Sequence, residues 1–345
     1  MAKTKRFFIS DLHLSSQALY DDPKKPAWYD PAIHNPRLFG FLDKTVLAQK
    51  DQVKDLILLG DVFNTWVCPA KKNPPKYSEI FAANREVLNK FKEIIKAGID
   101  IYYVNGNHDY DLDAVTLQKA IPGIKAINYY RTGRIYAEHG SQYDIYNKPD
   151  YVTDPAFGRP IGYFISRLVS TIGSDGFGLI DLADYLDDIL EAALTPQNIF
   201  ASIIEGLAER ANLKETDGIV LPGQKKISIQ ALKERFQKLS EVYSINELIS
   251  DLYQRRYLNG PADRLCKRYE FQVVVFGHTH NAMLDKDWFL TADRIYANSG
   301  CWCKPNAHSV EVDKSQDTKK QKTRVRLHKV NLKGESSVIA DEEIG

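Results

Sequence analysis

The feature that most constrains this chain is a series of short apolar runs. They are Phe7-Phe8-Ile9, Leu56-Ile57-Leu58-Leu59, Ile101-Tyr102-Tyr103-Val104, Ile135-Tyr136-Ala137, Val273-Val274-Val275-Phe276 and Ile295-Tyr296-Ala297. Their length and continuity suit strands buried on both faces. Helical patterns lie between them, as in Phe81 to Ala97, where Val87, Leu88, Phe91, Ile94 and Ile95 form an apolar stripe that Gly98 stops. Strand alternating with helix predicts an α/β fold.

From about Tyr151 to Arg268 this rhythm gives way to a nearly all-helical pattern. Thr195-Pro196 reads as a capped start for a stripe of Ile199, Phe200, Ile203, Ile204, Leu207 and Ala208. A second helix is expected from Ser228, with Ile229, Leu232, Phe236, Leu239 and Tyr243 on one face. A third stripe, Leu179, Leu182, Ala183, Leu186, Ile189 and Leu190, has an acidic opposite face that anionic lipid would repel. The expected organisation is therefore a core of residues 1–150 and 269–333, a helical cap insertion of residues 151–268, and a frayed polar tail of residues 334–345. Val310 and Val312, then Val325 and Leu327, predict a hairpin near the end of the core. Its basic residues, Lys319, Lys320, Lys322, Arg324 and Arg326, read as protection of a sheet edge.

Lys and Arg number 46 against 45 Asp and Glu, which removes the basic bias expected of a nucleic-acid binder. No segment is apolar for long enough to span a membrane, and the first apolar run meets Asp11 before a signal-peptide core could be completed. Cys68, Cys266, Cys301 and Cys303 are too few and too scattered for a disulfide framework. A cytoplasmic, reducing location is expected.

Each of five strand candidates is followed at once by residues suited to hold a cation. Asp11-Leu12-His13 follows the first run, Gly60-Asp61 the second and Gly106-Asn107-His108-Asp109 the third. His139-Gly140 follows the fourth, and Gly277-His278-Thr279-His280 the fifth. In an α/β sheet such loops meet on one rim. Five of the eight histidines fall inside these clusters, which random scatter would rarely produce. Carboxylate, imidazole and one amide oxygen, with no thiolate, suit two divalent ions: Mn foremost, or Fe, Zn or Ni. Seven donors exceed what one ion with an open position needs, whereas two ions sharing a bridging carboxylate use them all. Cys301-Trp302-Cys303 lacks a second cysteine pair and is expected to be a structural loop. Trp28, Tyr29 and Trp66 suit either substrate contact or loop packing.

The ordered set Asp11/His13, Asp61, Asn107/His108, His139, His278/His280 resembles the calcineurin-like metallophosphoesterase superfamily over about residues 5–145 and 270–303. The resemblance implies a two-sheet β sandwich flanked by helices. It implies Asp61 as the bridging ligand, Asp11, His13 and His280 at one ion, and Asn107, His139 and His278 at the other. His108 corresponds to the histidine beside the substrate. Asp11-Leu12-His13-Leu14, Gly60-Asp61-Val62-Phe63 and Trp66 are similar to the UDP-2,3-diacylglucosamine hydrolase branch, which usually has arginine where His108 stands.

The activity so implied is hydrolysis of a phosphate ester or pyrophosphate by water activated between two cations, with His108 assisting the leaving oxygen. The expected substrate is a phosphorylated small molecule or lipid headgroup. A nuclease on the same scaffold would need a basic channel with stacking aromatics, and a non-catalytic derivative should have lost ligands that this chain retains.

Overall fold

The computed structural model describes residues 3–24, 26–173, 199–244, 247, 257–286, 293–314 and 322–345. In chain order the strands are β1 (Lys5–Ile9), β2 (Val53–Leu59), β3 (Asp100–Val104), β4 (Lys125–Ile127), β5 (Tyr130–Thr132), β6 (Ile135–Ala137) and β7 (Gly218–Val220). There follow β8 (Lys226–Ser228), β9 (Val273–Phe276), β10 (Met283–Asp285), β11 (Ile295–Asn298), β12 (Ala307–Lys314), β13 (Thr323–Val330) and β14 (Ser336–Ile344). All six apolar runs of the sequence lie in strands.

Seven strands form one sheet in the order β14-β13-β12-β1-β2-β3-β4, and five form a second in the order β10-β11-β9-β6-β5. Side chains alternate across a strand, so neighbours in sequence serve different cores. Phe8, Ile57, Leu59 and Val104 face Ile135, Ala137, Val273, Val275 and Ile295 of the second sheet. Phe7, Ile9, Leu56 and Leu58 face outward onto Leu38, Phe41, Val87, Phe91 and Ile94 of flanking helices. The two-sheet sandwich flanked by helices is thus built by the pleat itself.

The helical pattern of Phe81 to Ala97 is two helices, Tyr77–Ala83 and Arg85–Lys96, parted at Asn84. The Asn84 side chain is buried; its Nδ2 donates to Ser15 O and Ile80 O, and its Oδ1 accepts from Tyr20 OH. These bonds tie the helix junction to the loop beyond β1. Gly98, at φ +79°, ends the second helix where the sequence places the stop.

Within the insertion, Ile161–Ile172, Ile199–Arg210 and Ile229–Gln237 are helical. Phe200, Ile203, Ile204 and Leu207 pack with Leu232 and Phe236 in one core. Ser228 caps the third helix by accepting from Ala231 N at 3.1 Å. Two departures from the expected organisation appear here. The insertion also carries the β7–β8 hairpin. Helix Asn259–Tyr269, expected in the cap, packs instead on the second sheet, where Ala262 and Cys266 meet Val274, Phe276 and Tyr296. The stripe from Leu179 to Leu190 and the start at Thr195-Pro196 lie outside the described residues.

The expected frayed tail is a correction of a different kind. Ser336–Ile344 is the edge strand β14, paired antiparallel with β13. Its acids read as polar tail in the sequence, yet they answer the basic residues of β13: Arg324 Nε donates to both Asp341 oxygens at 2.8 and 3.0 Å, and Lys322 pairs with Glu343. The β12–β13 hairpin forms as expected, with Val310 opposite Leu327 and Val312 opposite Val325. Among the described residues, no helix is long and apolar enough to cross a membrane.

Candidate metal centre

β1, β2 and β3 run parallel in one sheet, and β6 and β9 in the other. The loops from their carboxyl ends meet at one rim. The first two are laced together: Asp11 N donates to Gly60 O at 3.0 Å, His13 N to Asp61 O at 2.9 Å and Leu14 N to Val62 O at 2.9 Å.

Backbone strain marks this rim. Asp11, His13, Asp61, His278 and His280 have φ of 56, 57, 52, 67 and 55°, and they are five of the eight non-glycine residues with positive φ among the described residues. The left-handed conformation costs roughly 1–2 kcal/mol per residue, and such outliers cluster where side chains are aimed for function. Two glycines make room for the side chains so aimed. A Cβ on Gly106 would overlap the Asp61 carboxylate, and one on Gly60 the His139 ring.

The Asp61 carboxylate lies at the middle. Its Oδ2 is 3.3 Å from His139 Nε2, 3.9 Å from His108 Nε2 and 4.0 Å from His13 Nε2, while Oδ1 accepts from His108 N at 2.8 Å. On one side, His280 Nε2 is 3.1 Å from both His13 Nε2 and Asp11 Oδ1. On the other, Asn107 Oδ1 is 3.1 Å from His139 Nε2, whose ring is held by Nδ1 at 2.8 Å from Leu59 O. His278 is adjacent, its ring centroid 5.2 Å from that of His139, but its Nε2 is engaged by Asp144 Oδ2 at 2.9 Å.

The donor set suits divalent cations. Asp11 and Asp61 are 0 and 2% exposed, and among the described residues their ion-pair partners are imidazoles. Buried carboxylates without a lysine or arginine are costly, and Asp11 Oδ1 has no hydrogen bond of acceptable geometry. Three groups could hold an ion, the donor atoms of each lying within 4.8 Å of one another: Asp11/Asp61/His139, His13/Asp61/His108 and His13/His280/Cys303.

The same crowding sets the protonation states. Burial pushes His13 well below the usual imidazole range and His108 down to about 4. Burial acts in the same direction on His139, but the Asp61 and Asp11 carboxylates outweigh it and lift this ring to about 10. Asp109 is pushed up to about 7, first by burial and then by the charge of Asp61. It accepts from Val62 N, Phe63 N, Tyr103 OH and Gly106 N, and so joins the loop after β2 to the loop after β3.

Two polar residues at this rim, Asn64 and Asp144, were not singled out in the sequence, and a third, Cys303, was expected to be structural. Asn64 bridges His108 Nδ1 at 3.0 Å and His13 Nδ1 at 3.2 Å. Asp144 holds His278. Cys303 brings a thiol to a donor set expected to have none. The Cys-x-Cys spacing was visible, but a zinc-ribbon criterion cannot recognise a thiol whose co-donors are histidines far away in the chain. Of the aromatics left open, Tyr29 is fully buried core. Trp28 lies edge-on to His13 at 4.7 Å between centroids, and Trp66 lies against His108 at 4.5 Å.

Among known proteins, the chain is 27% identical over 137 residues to UDP-2,3-diacylglucosamine hydrolase of Photorhabdus laumondii subsp. laumondii, a match covering 39% of this chain and 46% of the relative. The chain thus spans about half the length of that relative. A crystal structure of a Vps29 double mutant from Entamoeba histolytica aligns over 99% of both chains at 8% identity, with a TM-score of 0.33 that is too low to carry an argument. The calcineurin-like phosphoesterase family profile matches residues 4–282, most of the chain and the five loops that carry Asp11, Asp61, Asn107, His139 and His278. The chain belongs to the calcineurin-like phosphoesterase family.

Proposed function

We propose that this protein hydrolyses a phosphate ester or pyrophosphate at a centre of two divalent ions. The observation that carries the reading is the buried Asp61 carboxylate, which has imidazole nitrogens of His13, His108 and His139 within 4.0 Å. In this reading Asp61 is shared, Asp11, His13 and His280 serve one ion, and Asn107, His139 and His278 serve the other. His278 would exchange its bond to Asp144 for that role, with Asp144 orienting the ring. Ions held there would supply Lewis acidity to a phosphoryl oxygen and lower the pKa of a water.

The chain's own groups do the remainder. His108 lies beside Asp61 with Trp28 and Trp66 against its ring, so it is held in place and shielded from water. A cavity of about 1250 Å³ opens beside Trp66. Trp66, Lys72 and Tyr110 line it from the core, and Tyr151, Phe157 and Arg159 from the insertion. Apolar and aromatic walls with a few cationic groups suit a phosphorylated compound with a bulky organic part, and the insertion would select it as a cap. The name of the Photorhabdus relative makes a diacylated sugar nucleotide the first compound to try. Four buried, unpaired cysteines support a reducing compartment.

The test is a screen of phosphomonoesters, phosphodiesters and pyrophosphates with protein stripped by chelator and reloaded with Mn, Zn, Fe or Ni. The expected result is hydrolysis of at least one class, abolished by stripping and restored by reloading. A folded, metal-loaded protein that cleaves none of the three contradicts the proposal.

A further inference from the structure

The loop after β11 lies directly on the Asp11 loop. Trp302 N donates to Asp11 O at 3.0 Å, and the Ser10 hydroxyl reaches Ser299 Oγ at 2.7 Å and donates to Gly300 O at 3.1 Å. Trp302 is fully buried against Phe41, at 5.2 Å between ring centroids, and anchors the loop. Cys303 follows it, 8% exposed, with Sγ within 4.8 Å of ring nitrogens of both His13 and His280.

A structural cysteine behaves as a small hydrophobe and needs only apolar neighbours. This one hydrogen-bonds the neighbouring Cys301 thiol and also has within 4.8 Å two imidazole nitrogens that face each other across 3.1 Å. Two nitrogens this close could both reach one divalent ion at the usual metal–nitrogen distance of about 2.0–2.1 Å.

We propose that Cys303 is a thiolate ligand of the ion held by His13 and His280, and that this site selects Zn or Fe(II) over Mn. The inference rests on the metal-centre reading above and deepens it. Thiolate favours softer ions, whereas carboxylate and water suit Mn. Binding releases the thiol proton to solvent as the metal–sulfur bond forms, so uptake at this site is accompanied by one more proton than an all-histidine site would release. The mixed donor set also separates the two ions chemically: the one beside Cys303 is soft-ligated, and the one served by Asn107 and His139 is not.

The experiment is cobalt titration of the full-length metal-free protein, read by absorbance. Wild type is expected to show a near-ultraviolet thiolate-to-cobalt charge-transfer band together with visible d–d bands. Cys303→Ala and Cys303→Ser should lose the first and keep the second, while Cys301→Ala, Cys68→Ala and Cys266→Ala keep both. Zn affinity at this site should fall about 10- to 100-fold in the Cys303 variants, with Mn affinity unchanged. Cobalt uptake by wild type without the charge-transfer band overturns the inference and leaves the metal centre standing. Survival of the band in folded Cys303→Ser overturns it equally. Absence of any cobalt uptake would remove the metal centre as well.

Discussion

Burial holds the His108 imidazole down to about 4, so it is neutral in the free protein near neutral pH. Its proton can be placed. Asn64 Oδ1 accepts from the backbone N–H of Trp66 and Val67 at 3.0 and 2.9 Å, which fixes the amide, and the His108 Nδ1 that reaches the same oxygen must then be the donor. Nε2 is left facing the Asp61 carboxylate. A phosphate group brings negative charge next to this ring and favours its protonated form, which puts the second proton on the nitrogen nearest the reaction. His108→Ala should accordingly lose about 10²-fold or more on an alkyl ester and much less on an activated nitrophenyl ester. Equal losses on both would remove the acid role, and loss of an ion from the variant would place His108 among the ligands instead. The sequence made His108 visible through its Gly-Asn-His-Asp setting. Asn64, which dictates what His108 can do, was not visible, because an asparagine three residues beyond Asp61 looks like any loop residue until the fold turns it toward two histidines.

The loop from Trp66 to Lys72 depends on one side chain of the insertion. Arg167, fully buried on helix Ile161–Ile172, donates to the carbonyl oxygens of Cys68, Pro69, Ala70, Lys72 and Val220 and to Tyr163 OH. Arg167→Met should leave several buried carbonyls without donors and lower stability by roughly 3 kcal/mol or more, measured by urea unfolding. Because Trp66 lines the cavity and lies against His108, the preferred substrate should lose more rate than a small activated diester. Equal kinetics on both would show that the insertion does not shape the site. Elements of this kind were unevenly legible. Continuous apolar runs marked the central strands and period-3.6 stripes marked the helices Arg85–Lys96, Ile199–Arg210 and Ile229–Gln237, since burial imposes both patterns. Strand β14 escaped because it lies at an edge and keeps Val338 and Ile339 about half exposed at 49 and 51%, so no alternation toward a core marks it. The helix at Asn259–Tyr269 fell within a region expected to be nearly all helical, but its partner sheet is a matter of tertiary packing that periodicity does not encode.

At the scale of the molecule, two sheets packed face to face bring five loops from distant parts of the chain to one rim, and the strained backbone there directs their side chains inward. That convergence was legible because every cluster follows a strand run; the pairing of His278 with Asp144 and the arrival of Cys303 were not, since both depend on how loops cross after the strands end. In the proposed centre Asp61 organises two ions, its buried charge offsetting their mutual repulsion. Metal content per chain, measured on folded wild type and folded Asp61→Ala after equilibration with a divalent ion and removal of excess, tests it most directly. Two ions are expected in the wild type, with loss of bound metal and of hydrolysis together in the variant. Two tightly held ions and near-normal turnover in Asp61→Ala would contradict it.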